Sequence, residues 1–118
     1  MPWTVINHDD FDEEYDELPE AVQDELLVVR LLIEAHGPHL KRPHVDTLNN
    51  SDYANMKEIR VTAADGEWRF AFAFDPERQA VILCGGDKSG VSQKRFYKTL
   101  IAKADARFGQ WLKQKKEK

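Results

Sequence analysis

The chain has 118 residues, 42% of them hydrophobic and 32% charged, with a formal net charge of −4. That length suits one compact domain, residues 1–118, whose core needs no disulfide or metal staple. The single cysteine, Cys84, excludes a disulfide framework and a cysteine-based zinc site, and no apolar run approaches the roughly 20 residues of a bilayer-spanning helix.

The N-terminal stretch turns acidic at once and has no basic region of the kind that opens a secretory signal, so a soluble cytoplasmic protein is expected. Charge is divided along the chain. Residues 1–36 carry a net −10 and residues 37–118 a net +6. A basic half of this kind suits a polyanionic or acidic partner, although a solvated acidic helix would produce the same split.

Trp3 to Asn7 is short, alternating and β-branched, as a strand is. Trp3 is either an aromatic offered at a sheet edge or a core residue. Asp9 or Asp10 is placed to cap a short helix with Phe11, Tyr15 and Leu18 on one face. Pro19 opens a second helix running to about His36, with Val22, Leu26, Val29 and Ile33 as its buried stripe. Gly37 and Pro38 end it. The two helices read as an antiparallel hairpin.

Residues 38–55 lack periodicity. A loop of that length is more often functional than accidental, which makes it a candidate edge of a binding cleft, with His44 as a candidate wall. His36, His39 and His44 lack metal-ligand spacing and read as loop and cap residues.

Three strands follow, at Met56 to Thr62, Trp68 to Phe74 and Ala80 to Cys84, joined by short turns as a meander. In the second, Trp68, Phe70, Phe72 and Phe74 face one way, and Arg69, Ala71 and Ala73 the other. A last helix runs from about Ser92 to Lys113 with an apolar line of Tyr97, Ile101, Ala104, Phe108, Trp111 and Leu112. The order β-α-α-β-β-β-α predicts an α+β domain, a mainly antiparallel sheet with a helical hairpin on one face.

Candidate chemistry follows from that register. If the aromatics face the helices, Glu58, Arg60 and Arg69 share the opposite, open face, with Arg69 in a concavity left by two alanines. Two arginines there suit phosphate, which a guanidinium grips as a planar fork; a cross-strand ion pair on a wet face is the competing reading. The GGDKSG segment at 85–90 offers a backbone that can approach a ligand, with Lys88 and Ser89 as anion ligands, but its spacing is not that of a P-loop. A glycine-rich turn with a solvated lysine is the alternative. Lys94, Arg95 and Lys98 set cations beside Phe96 and Tyr97, as for a base stacked between phosphates, unless both aromatics belong to the helix core. Cys84 reads as core.

The strings LKRPHVDTL, NMKEIRV, EWRFAFAFDPERQAVILCGGDKSG and RFYKTLIAKADARF resemble the RelE/ParE superfamily of bacterial toxins, above all its HigB-like, phage Gp49-like branch, over about residues 38–112. The resemblance implies a RelE-like fold and a toxin that cuts mRNA, typically on the ribosome, with no metal or other cofactor. It also implies neutralisation by a cognate antitoxin, in this branch often a helix-turn-helix DNA-binding protein.

Carried onto this chain, Arg69 resembles the arginine that stabilises charge on the scissile phosphate and Arg60 its strand neighbour. Lys88 resembles the basic residue that serves the leaving 5′ oxygen, and Tyr97 or Phe96 the aromatic that stacks on a base. Some RelE members have catalytic lysines on the strand before the arginine. Here Met56 and Glu58 stand in register and Lys57 faces away, which leaves Glu58 as the base. Lys57, Asp87, Ser89, Lys94 and Arg95 complete the expected RNA-binding set. The expected products are a 2′,3′-cyclic phosphate or 3′-phosphate and a 5′-hydroxyl. The alternatives are a ParE-like toxin acting on DNA gyrase and a degenerate antitoxin-binding module.

Overall fold

The structure is a computed structural model and describes residues 2–116. The elements are β1 (Thr4–Asn7), α1 (Asp9–Tyr15), α2 (Glu20–His36), a 3-10 turn (Gly37–His39), β2 (Val45–Thr47), β3 (Met56–Ala63), β4 (Gly66–Phe74), β5 (Gln79–Asp87) and α3 (Gln93–Lys116). The strands form one sheet in the order β1-β5-β4-β3-β2, with β1 parallel to β5 and every other pair antiparallel. The α+β class and the β3-β4-β5 meander are as the sequence predicts.

Alternation along β4 builds two cores. Phe70, Phe72 and Phe74 pack with Phe11 of α1 and with Val22, Leu26, Val29 and Ile33 of α2. Ala71 and Ala73 point the other way and meet Leu100, Ala104 and Phe108 of α3. The second face is therefore covered, which corrects the open face expected there. Two small side chains mark the place where a helix lies close to the sheet, and the same pattern in the sequence reads as a cavity. Leu100, absent from the predicted apolar line, is among the most buried residues of α3.

Three boundaries also differ. The 38–55 segment contains β2, whose Val45, Asp46 and Thr47 stand opposite Ile59, Glu58 and Lys57. A three-residue strand with one buried apolar side chain is too short to produce a periodic signal. The cap of α1 is His8, whose Nδ1 accepts the backbone N–H of Asp10 at 3.1 Å, in place of Asp9 or Asp10. Imidazole supplies the acceptor that the cap rule usually assigns to a carboxylate or hydroxyl.

Finally, β5 runs three residues past Cys84. A bulge sets Ala71 opposite Cys84 and Phe72 opposite Ile82, so Leu83 is extra and both Leu83 and Cys84 face α3. Gly85 then lies under the Phe70 ring, where any Cβ would collide with it. Trp3 is half-buried, edge-on to Phe74 at 4.8 Å, with the Arg78 guanidinium over it at 4.4 Å. It belongs to the core periphery.

Candidate functional site

The face of β3 that looks toward α3 presents Glu58 and Arg60, and register sets Arg60 directly opposite Arg69 of β4. Two like charges across a strand pair repel. Glu58 resolves the conflict. Its Oε2 lies 3.2 Å from Arg60 Nη1 and its Oε1 3.9 Å from Arg69 Nε. Tyr97, one turn into α3, donates its hydroxyl to Oε1 at 2.7 Å. Burial and this bond to a carboxylate push the Tyr97 phenol above its usual range, while Arg69 pulls the other way.

Glu58 and Arg69 are only 5% and 3% exposed. Arg69 is thus buried, not the open-face arginine that the sequence suggests, although it does line a concavity. Its Nη1 donates to Trp68 O at 2.9 Å and stands 3.6 Å from Glu67 Oε2. Gly86, its register partner on β5, has no side chain to compete for the space.

Arg60 remains accessible. It lines both a cleft of about 930 Å³ and a second concavity of about 520 Å³ that includes Arg69. The larger cleft lies between the β2–β3 edge and the first turns of α3. Glu58 and Tyr97 form its floor, Lys88, Lys94 and Lys98 one side, and Arg42 and the Thr47–Asn50 run the other. The cations outnumber the carboxylates Asp46 and Glu58, so the cleft favours a polyanion. Its far wall is braced. Ser51 donates to Asp105 of α3 at 2.5 Å, the Asp52 N–H donates to the same carboxylate at 2.9 Å, and Arg42 pairs with Asp46 at 2.8 Å. The Arg42 bond holds the Asp46 carboxyl below its usual range.

Of the residues singled out from sequence, Glu58, Arg60, Lys88, Lys94, Tyr97 and Lys98 meet in this cleft. Arg69 stands behind it. Lys57 does not join them: it is opposite Phe72, on the α2 side of the sheet. Asp87 and Ser89 brace the start of β4, both accepting from the Glu67 N–H at 3.0 Å. Arg95 and Phe96 lie on the other flank of α3, around a small pocket with Cys84 and Val91. Cys84 is buried, and desolvation pushes its thiol up to about 12.

His44 does not line the cleft; its carbonyl accepts the Arg60 N–H at 2.8 Å. The cleft residues that pattern reading passed over are Arg42, Asp46, Asn49, Asn50 and Gln93. Only the length of the 38–55 segment pointed to the first four, and nothing pointed to Gln93 at the start of α3.

A family model described as "Phage derived protein Gp49-like" matches residues 13–109. The chain belongs to this Gp49-like family. Over 81 residues it is 51% identical to HigB3 of Mycobacterium tuberculosis, a protein named as a candidate toxin, covering 69% of this chain and 68% of that one. It is 42% identical over 84 residues to HigB2 of the same organism, which likewise bears a candidate-toxin name, covering 70% of this chain and 41% of that one.

In structure it is similar to free Escherichia coli toxin RelE, with a TM-score of 0.62 at 12% identity over 87% of this chain and 97% of that one. It is also similar to a chain of the RelE–RelB complex from Pyrococcus horikoshii, with a TM-score of 0.56 at 19% identity over 77% and 100%. At those identities the likeness is one of fold. The Gp49-like match and the HigB relatives thus give the family, and the two RelE structures share its fold.

Proposed function

We propose that the chain is the toxin of a type II toxin–antitoxin pair and that it stops translation by cutting mRNA with its own side chains. One observation carries the chemistry: a buried carboxylate, Glu58, held between Arg60 and Tyr97 at the floor of a cation-lined cleft. The Tyr97 hydroxyl occupies Oε1 and Arg60 occupies Oε2. An RNA phosphate entering the cleft competes for Arg60, the more exposed partner, and draws it off Oε2.

Glu58 then takes the proton of the ribose 2′-OH. The 2′ oxygen attacks phosphorus and the P–O5′ bond breaks. Arg60 neutralises the nonbridging oxygens, and Lys88 protonates the leaving 5′ oxygen. A 2′,3′-cyclic phosphate and a 5′-hydroxyl result, and water opens the cycle to a 3′-phosphate. Arg69 acts through Glu58 as a positioning residue that holds the carboxylate from behind. The Tyr97 ring, in the cleft wall, is placed for a base to stack on.

A cognate antitoxin and the ribosome are the proposed partners. The Pyrococcus structure is a complex of RelE with RelB, which supports an antitoxin partner, and the helix-turn-helix type proposed for it is the one that the resemblance to the HigB-like branch implies.

Induced expression in a bacterial host tests the reading, followed by labelled methionine uptake and mapping of mRNA 5′-hydroxyl ends. Wild type is expected to stop uptake and generate such ends. Glu58→Gln, which keeps the Tyr97 bond, should slow cleavage by roughly 10²–10⁴-fold. Filamentation with a DNA damage response, and intact mRNA, would overturn nuclease action in favour of gyrase poisoning.

A further inference from the structure

The outer face of α2 is apolar where a solvated helix should be polar. Leu27, Val28 and Leu31 are 52%, 49% and 57% exposed, and they are three of the four large hydrophobic side chains standing exposed among the described residues. Helical periodicity puts them on one ridge with exposed Ala35, directly away from the buried stripe Val22, Leu26, Val29 and Ile33. Scattered exposed leucines are ordinary, but a contiguous ridge marks an interaction surface.

The charge around the ridge is of one sign. Glu20 and Asp24 continue it toward the helix N-terminus and Glu25 flanks it; all three are exposed, and none is in an ion pair among the described residues. The single cation of the helix, Arg30, is turned inward to Asn7 Oδ1 at 2.5 Å and Val5 O at 3.2 Å.

We infer that this ridge docks a basic amphipathic helix of the antitoxin, an inference that rests on the toxin reading above. The partner helix lays apolar side chains at i, i+3 and i+4 against Leu27, Val28 and Leu31, and its flanking Lys or Arg meet Glu20, Asp24 and Glu25. Other occupants fit worse. A second copy related by a twofold axis would set these carboxylates against themselves. RNA and anionic headgroups are repelled by the same charges. Five of the chain's own cations, Arg42, Arg60, Lys88, Lys94 and Lys98, line the cleft instead.

The test uses the full chain and, as probe, the purified product of the adjacent open reading frame. Leu27→Asp/Leu31→Asp alters only exposed side chains remote from the cleft, so toxicity without the probe should equal that of wild type. Affinity for the probe by calorimetry should fall by roughly 100-fold or more, as for two hot-spot residues, and co-expression should no longer rescue growth. Asp24→Lys/Glu25→Lys leaves the ridge intact and should weaken binding and flatten its salt dependence.

Wild-type affinity in both folded variants would overturn the inference while leaving the toxin reading standing. So would a wild-type dimer in sedimentation that Leu27→Asp/Leu31→Asp dissociates. Absence of binding by wild type would overturn the toxin–antitoxin reading and this inference with it.

Discussion

Arg69→Ala should damage the fold as well as the site. Arg69 is 3% exposed, with its guanidinium 3.9 Å from Glu58, 3.6 Å from Glu67 and bonded to Trp68 O. Removing one partner of a buried pair typically costs about 3–5 kcal/mol, because the other charge stays buried. Two features pull this case to the low end. Glu58 keeps Arg60 and Tyr97, and the Arg69 Nε has no hydrogen-bond partner to lose. The loss of repulsion with Arg60 across the strand pair offsets a little more.

A destabilisation of about 3 kcal/mol follows, a large share of the roughly 5–15 kcal/mol that holds a domain together. For a domain of this size that lowers Tm by about 10 °C or more and the urea midpoint by roughly 1.5 M. Urea titrations followed by tryptophan fluorescence measure it, with growth arrest scored on the same variants. Arg69→Lys, which retains a charge beside Glu58, should lose less stability. If Arg69→Ala unfolds at the wild-type midpoint, Arg69 is not the buried counter-charge described here.

The bidentate Arg107–Glu14 pair, at 2.9 and 2.7 Å, ties α3 to α1 and holds the Glu14 carboxyl below its usual range. A lowered folded-state value stabilises above the unfolded value near 4.5 and is lost as pH falls through the folded one. Glu14 is 42% exposed, so Glu14→Gln should cost only about 1 kcal/mol at pH 7 and progressively less as pH falls below the unfolded value near 4.5; a cost that does not shrink with acidification would contradict the pairing. Cys84 should resist iodoacetamide at neutral pH in the native protein and label on unfolding; rapid native labelling would mean that α3 does not seal it. Binding of a short single-stranded RNA should weaken with salt with a log–log slope of about −2 to −3.5, from three to five phosphates on Arg42, Arg60, Lys88, Lys94 and Lys98. A flat titration would point away from a polyanion in the cleft.

Much of this molecule is legible in its sequence, for reasons of period. Trp68–Phe74 alternates over a full strand and α2 repeats its apolar stripe over about three turns, so both sides of the first core could be assigned. The same alternation places Glu58, Arg60 and Arg69 on one face. What covers that face is not local information. Ala71 and Ala73 suit a cavity and a close helix equally, and only the packing of Ala104 and Phe108 decides between them. The Thr47–Asn50 wall is hidden for another reason: it follows a three-residue strand and is held by Asp105, more than fifty positions away. Lys57 illustrates the converse, since its position next to Glu58 in the chain guarantees that the pleat carries it to the opposite face.

In α3, one helix seals the second core with Leu100, Ala104 and Phe108 and supplies Tyr97, Lys94 and Lys98 to the cleft. It also follows every other element of the domain in chain order. During synthesis, Glu58, Arg60 and Arg69 are therefore threaded out on a sheet that has neither its second layer nor the far side of the cleft. The cleft is complete only when the last helix docks, and the same event hides Ala71, Ala73, Leu83 and Cys84 from water. Closing the second core and completing the cleft are thus one step.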